Sequence, residues 1–253
     1  MTLFNLMGLV STAALALPLI ILIFTKLAWY KSFPALFFYY LFILSFNFLL
    51  LGYIRIEGNF KYYLGVTCNL VDTPLMLSFL LYFSKTIAFR KRLMIAILAF
   101  ILFEIAIVTI FGFNTKATTI ILAPGLLIAL VISLLFFVHQ AKIAVVYHKA
   151  AGKAIMVASL LFAYVGYCFV YSVFYLIKPV YKDDAHLVFF LITIFSSTAM
   201  SIGIYFERKR VQQLVELQTT REELKAIYGE QQTKKRANPF EAAVINFDKE
   251  QWN

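Results

Sequence analysis

Apolar residues fall into seven stretches of about 20 residues each, at 5–25, 33–54, 62–84, 93–113, 117–138, 154–177 and 187–206, separated by short polar segments. A bilayer's hydrocarbon core is about 30 Å thick and takes about 20 apolar residues in helical form, so each stretch predicts one crossing helix. The cuts are Lys26 to Lys31, Arg55 to Lys61, Lys85 to Arg92, Asn114 to Lys116, His139 to Lys153 and Lys178 to Asp184. The shortest, Phe113-Asn114-Thr115-Lys116, predicts a tight turn, because joining its two flanking runs would give a stretch more than twice the bilayer span.

After residue 206 the pattern changes. Glu207 to Gln232 is rich in Glu, Gln, Arg and Leu, places Glu222 and Lys225 on one helical face and contains no proline, so it predicts a continuation of the last helix. Leu214, Leu217, Leu224 and Tyr228 follow a heptad-like spacing broken by Arg221, about one and a half heptads and short of a coiled coil. Lys234-Lys235-Arg236 leads to Asn238-Pro239, which ends any helix. The final segment, Phe240 to Asn253, mixes aromatic, aliphatic and charged residues. It suits an amphipathic piece on the membrane, a docking peptide or a frayed terminus. Two parts are expected: a transmembrane domain over 1–206 and a cytoplasmic helical tail over 207–253.

Composition agrees with this division. The chain is 62% hydrophobic and 14% charged, with mean hydropathy +0.83, whereas a soluble domain carries about 25% charged residues. Lys and Arg distribution sets the expected orientation. With the N-terminus outside, twelve basic residues fall on the cytoplasmic side (Lys26, Lys31, Lys85, Arg90, Lys91, Arg92, Lys142, Lys149, Lys153, Arg208, Lys209, Arg210) against five outside (Arg55, Lys61, Lys116, Lys178, Lys182). The expected fold class is therefore an all-α integral membrane protein, a seven-transmembrane helix bundle with N-out, C-in topology. The net charge of +10 lies mostly in loops beside these helices, where it meets anionic lipid headgroups; nucleic acid is not implied. The N-terminus lacks a basic region and its apolar run is too long for a signal peptide, so it reads as a retained first helix. Cys68 and Cys168 both fall within runs, as packing residues. Small size and the lack of any Asn-x-Ser/Thr sequence suggest the inner membrane of a bacterium.

Two residues break the apolar pattern at depth. Asp72 lies near the middle of the third run and Glu104 near the middle of the fourth, so antiparallel neighbours place them at one level. A carboxylate there costs at least ~2.5–3.5 kcal/mol and calls for a proton, a cation or hydrogen-bond donors. Asn69, Asp72, Thr73 and Met76 share one helical face, and Pro74 frees the backbone carbonyl near Leu70. The second run offers Ser45 and Asn47, the seventh Ser196, Ser197 and Thr198, and the sixth a stripe of Tyr164, Tyr167, Tyr171 and Tyr175 with Cys168 and Ser172. Serine and threonine also serve helix packing, and Tyr175 lies where aromatic anchors sit. The candidate ligand- or ion-binding residues are Asp72, Glu104, Asn69, Thr73, Tyr164, Tyr167 and Tyr171.

The stretch Asp72-Thr73-Pro74-Leu75 resembles the Thr-Thr-Pro-Leu of the third helix of microbial rhodopsins, which are also seven-helix, N-out proteins. The resemblance covers three identical residues and the helix count, and it implies a core site beside the third helix. At the family's counterion position this chain has Cys68, and at its arginine position Gly65. The run 187–206 has no lysine, so a covalent retinal Schiff base is excluded and no cofactor is expected.

Other classes are disfavoured. The third run ends Phe83-Ser84-Lys85-Thr86 without the Asp/Glu-Arg-Tyr box of G-protein-coupled receptors, and the seventh lacks Asn-Pro-x-x-Tyr. His139, His148 and His186 have no metal-ligand spacing, and Asp183-Asp184-Ala185-His186 is a weak outer cation candidate. No nucleophile elbow, phosphate loop or Cys-x-x-Cys occurs. Three functions fit: a non-enzymatic sensor or receptor-like protein that binds a small ligand or cation at midplane and signals to a partner through 207–253, a proton- or cation-coupled transporter of a small solute, or an accessory subunit of a membrane complex.

Overall fold

The computed structural model describes residues 3–53, 59–84, 86–147, 151–175 and 182–228. Among them every regular element is helical: α1 (Leu3–Phe24), α2 (Phe33–Leu50), α3 (Phe60–Leu80), a 3-10 turn (Leu81–Phe83), α4 (Ile87–Phe111), α5 (Thr115–Tyr147), α6 (Ala151–Tyr175) and α7 (Lys182–Tyr228). All seven α-helices are long and apolar enough to cross a membrane. A helix satisfies its own backbone groups, which is why sequences this apolar form helices.

The main departure from the predicted runs is at α5. It continues past residue 138 to Tyr147 because neither Gly nor Pro interrupts the segment. The predicted tight turn between α4 and α5 rests on two residues. Gly112 adopts φ +79°, open to glycine at little cost. Asn114 caps both helices: its Nδ2 donates to the Phe111 carbonyl (2.7 Å) and its Oδ1 accepts from the Ala117 N–H (2.9 Å).

Helix neighbours form a closed ring in the order α1, α2, α3, α5, α6, α7, with α4 packed against α3 and α5. Only one stripe of α4 is buried, Leu93, Ile97, Phe100 and Glu104, at spacings of four, three and four. Hydroxyls along the helices bond mostly to their own backbone four residues back, as at Thr12, Thr118, Ser172 and Ser201. Most buried hydroxyls are satisfied in this way, while Ser11, Ser133 and Tyr164 keep a side-chain oxygen with no partner among the described residues.

Glycines set the closest crossings. A Cβ on Gly152 of α6 would stand 2.6 Å from the Glu207 nitrogen and 2.8 Å from the Gly203 oxygen of α7, so these helices touch backbone to backbone. A Cβ on Gly125 of α5 would stand 2.5 Å from Thr73 Oγ1 of α3 and 3.0 Å from Phe100 of α4. Three helices thus meet beside Thr73-Pro74 and Pro124-Gly125. Both prolines lie inside continuous helices.

Close packing is uneven along the bundle. The end that carries Lys26, Lys31, Arg90 to Arg92 and Lys153, called the basic end below, holds most of the fully buried large side chains, among them Leu22, Leu36, Phe79, Leu80, Met156 and Met200. Toward the opposite end, Cys68, Asp72, Tyr167, Tyr171 and Ser172 are only partly buried.

Candidate functional site

Asp72 faces α2. Tyr39 directs its hydroxyl at the Asp72 carboxyl as a hydrogen-bond donor. From α6, Tyr164 and Tyr167 lie within reach of the same carboxylate's charge. The Tyr167 hydroxyl lies at hydrogen-bonding range of Tyr39, Thr193 and Ser196, while Tyr40 pairs with Ser197. A line of exchangeable hydrogens therefore runs from Asp72 through α2 and α6 to α7. Beside it, a cavity lined by Tyr39, Tyr40, Met76, Tyr164, Ser196 and Ser197 leaves about 10 Å³ open to the centre of a water molecule, the room of about one water.

The sequence reading places several of these residues. Tyr164 and Tyr167 line the cavity, Asp72 lies beside it within reach of both without lining it, and Thr73, one residue on, turns instead into the crossing with Gly125. Tyr171 lies farther out on α6 and donates to the Thr119 carbonyl of α5 (3.2 Å). Asn69 is exposed on the side of α3 and does not line the cavity. The side chains of Tyr175, Asp183 and Asp184, all of His148 and everything after Tyr228 lie outside the described residues.

Glu104 occupies a different setting. It is 8% exposed, feels the charge of Asp72, and its Oε1 has no hydrogen-bond partner among the described residues. The Tyr164 hydroxyl is likewise buried and unpartnered. Neither acid forms an ion pair among the described residues, where the one such pair is Arg210 with Glu207.

Sequence reasoning missed Tyr39 and Tyr40. The expected donors of the second run, Ser45 and Asn47, bond instead to Leu41 and Ile43 of their own helix. The overlooked signal was a pair of phenols within a Phe- and Leu-rich run, since a buried hydroxyl needs a partner.

A second polar cluster, at the basic end, also escaped notice because its members were counted as loop or tail charges. Glu207 of α7 is 0% exposed and accepts from Tyr82 and from Arg210, whose Nε lies at 2.9 Å. Arg210 Nη2 also donates to the Tyr82 hydroxyl (3.1 Å). Lys153 Nζ stands over the Tyr82 ring, 4.6 Å from its centroid. Tyr82 in turn packs against Phe33. This cluster ties α7 to the end of α3 and the start of α6.

The fold and site define a seven-helix protein of membrane composition with a hydroxyl-lined acid in its core. In comparisons with known proteins, no family model, curated protein or solved structure matches this chain.

Proposed function

We propose that this chain is a non-enzymatic, receptor-like membrane sensor, in which occupancy of the Asp72 site by a small ligand or cation biases α7, whose cytoplasmic extension passes the change to a protein partner. The basic end is cytoplasmic in this reading and the N-terminus outside, as in a bacterial inner-membrane protein. One observation carries it: α7 is a single uninterrupted helix that contributes Thr193, Ser196 and Ser197 to the site, Glu207 and Arg210 to the basic-end cluster, and then an exposed extension. At about 1.5 Å per residue, Ser196 and Leu224 lie about 42 Å apart along one rod. A displacement at the site therefore reaches the cytoplasm without a joint. Beyond Val211 the extension shows Val215, Leu217 and Leu224, each about half exposed, as apolar contacts for a partner.

Kinship to microbial rhodopsins enters only as a shared seven-helix plan. Covalent retinal has no lysine to bind in 187–206. The test is a distance measurement between spin labels at Lys142 on α5 and Gln218 on the extension. Asp72→Asn is expected to shift the distribution, and removal of residues 212–253 to leave site occupancy intact. An unchanged distribution, or a site lost on truncation, refutes the sensor.

Coupled transport is the second reading, favoured by the meeting of two proline-bearing helices beside the site, since transporters place substrate where paired helices are interrupted. Here both helices run on through their prolines. If Asp72→Asn and Glu104→Gln each leave solute uptake and its pH dependence unchanged, this reading fails.

A further inference from the structure

We propose that the species the Asp72 site takes is a proton, and that it arrives from the end of the bundle opposite the basic loops. The inference rests on the sensor reading above and adds what is sensed.

Space comes first. The cavity beside Asp72, lined by its neighbours Tyr39, Tyr164 and Tyr167, has room for about one water and admits no organic ligand. Among the described residues no group of three or more His, Cys, Asp or Glu gathers to hold a metal. What remains is a carboxylate beside a group of hydroxyls, parts that exchange and relay protons. Asp72, Tyr39, Tyr167 and Thr193 form a continuous series of such groups. The proton transfer is simple: hydronium gives its proton to the Asp72 carboxylate, leaving the carboxylic acid and a water.

Direction follows from burial. Between the site and the basic end stand Leu22, Leu36, Leu80, Met156, Met200 and Ile204, all fully buried and all without a polar side-chain group. The hydroxyls buried on that side are few: Ser159 and Ser201 are each bonded to their own helix backbone, and Ser133 stands apart with no partner among the described residues, so the layer is mainly apolar and offers a proton few groups to step onto. On the other side, Cys68 lies one turn above Asp72 and is partly exposed, Asn69 is exposed, and Tyr167 and Tyr171 are partly exposed. This less tightly packed side is therefore the one from which the proton reaches Asp72.

The groups facing Asp72 are consistent with this role. They are Tyr39 on α2, Glu104 on α4, Tyr164 and Tyr167 on α6 and Cys68 on its own helix; at the α5 crossing the neighbour is Gly125, and α7 contributes hydroxyls. None of these is a cation. The proton is thus the positive charge that the site takes up.

The experiment uses the full chain reconstituted in one orientation in vesicles, with pH set separately on each side, and reads the infrared carbonyl band of protonated carboxylic acids. Acidifying the side of the α2–α3 loop is expected to raise a band that Asp72→Asn abolishes and Glu104→Gln leaves. Acidifying the basic-end side should not raise it. Met200→Ser, which opens the dry layer, should make the band respond from both sides. Should Asp72→Asn fail to fold, Tyr39→Phe identifies the band by shifting its frequency. A band that answers from the basic-end side in the unaltered chain, that answers to neither side, or that follows sodium at fixed pH overturns the proposal. A fluorophore at Gln218→Cys reads the sensor separately. A band without a fluorophore response refutes sensing and leaves the proton site standing, and a fluorophore response to another stimulus without a band does the reverse.

Discussion

Arg210→Met gives the sharpest test of the basic-end cluster, because the cluster's two ends are unequally buried. Glu207 is 0% exposed, while the Arg210 side chain is 19% exposed. Removing the arginine strands a carboxylate that cannot reach water, and breaking a buried pair in this way costs about 3–5 kcal/mol. Tyr82 still donates to Glu207, and Lys153 lies within reach of its charge, so the lower part of that range applies, about 3 kcal/mol. Glu207→Gln is milder, because the long arginine chain can turn its head toward solvent, and about 1–2 kcal/mol is expected. The double change Glu207→Met with Arg210→Met removes both charges, and such replacements run from neutral to stabilising by about 1–4 kcal/mol. The order of stability, with the arginine single variant lowest and the double variant near the unaltered chain, is the signature. Reversible unfolding in mixed detergent micelles measures it. A single Arg210→Met loss below about 1 kcal/mol, or a double variant as weak as that single one, refutes the account of Glu207 as a buried anion dependent on Arg210.

The remaining predictions use the same unfolding assay. Gly152→Ala forces α6 and α7 apart, since both nearest atoms to its new Cβ are backbone, and a net loss of about 1–2 kcal/mol follows after the helix-propensity gain of alanine is set against overpacking. Gly65→Ala meets only the movable Phe46 ring and should cost less than Gly152→Ala; equal losses would show that the α6–α7 seam is not especially close. Glu104→Met removes a buried carboxyl oxygen that has no partner among the described residues and should be neutral or stabilising by about 1–3 kcal/mol, whereas Asp72→Leu strands Tyr39 and should destabilise; the opposite order counts against the distinct settings of the two acids. Asn114→Ala removes caps from two helices at once and should cost about 1–2 kcal/mol, with a loss under about 0.5 kcal/mol refuting the double-cap role.

Helix number, order and approximate bounds were legible because apolar run length is set by bilayer thickness, a constraint that acts on each helix separately. The turn at 112–114 and the continuation of α7 beyond residue 206 were legible for the same local reasons: a Gly and an Asn at one place, and no helix breaker at the other. Rotation of each helix about its axis was not. The helices are apolar on every side, so no stripe in the sequence tells which face of α2 turns inward. That is why Ser45 and Asn47 looked equivalent to Tyr39 and Tyr40, and why Asn69, on the expected face of α3, lies exposed.

Glu207 and Arg210 show how a charge pattern can mislead when read by position alone. Each follows the last apolar run, where basic residues mark topology and acidic ones look solvated. Yet Gly152 and Gly203 bring α6 and α7 into backbone contact at that level, and the carboxylate is sealed beneath the crossing. The cluster then explains a mechanical requirement of the proposed sensor. A continuous helix that only slid freely along its neighbours would spread any change at Ser196 over its whole length. One held to α3 and α6 near Glu207 must pivot there, so a small shift beside Asp72 becomes a larger swing at Leu224, the farther arm. Loosening the pivot through Arg210→Met should therefore reduce the label displacement at Gln218 that Asp72→Asn produces, while leaving the carboxyl band of Asp72 in place. A displacement equal to that in the unaltered background would show that the cluster stabilises the bundle without serving as its fulcrum.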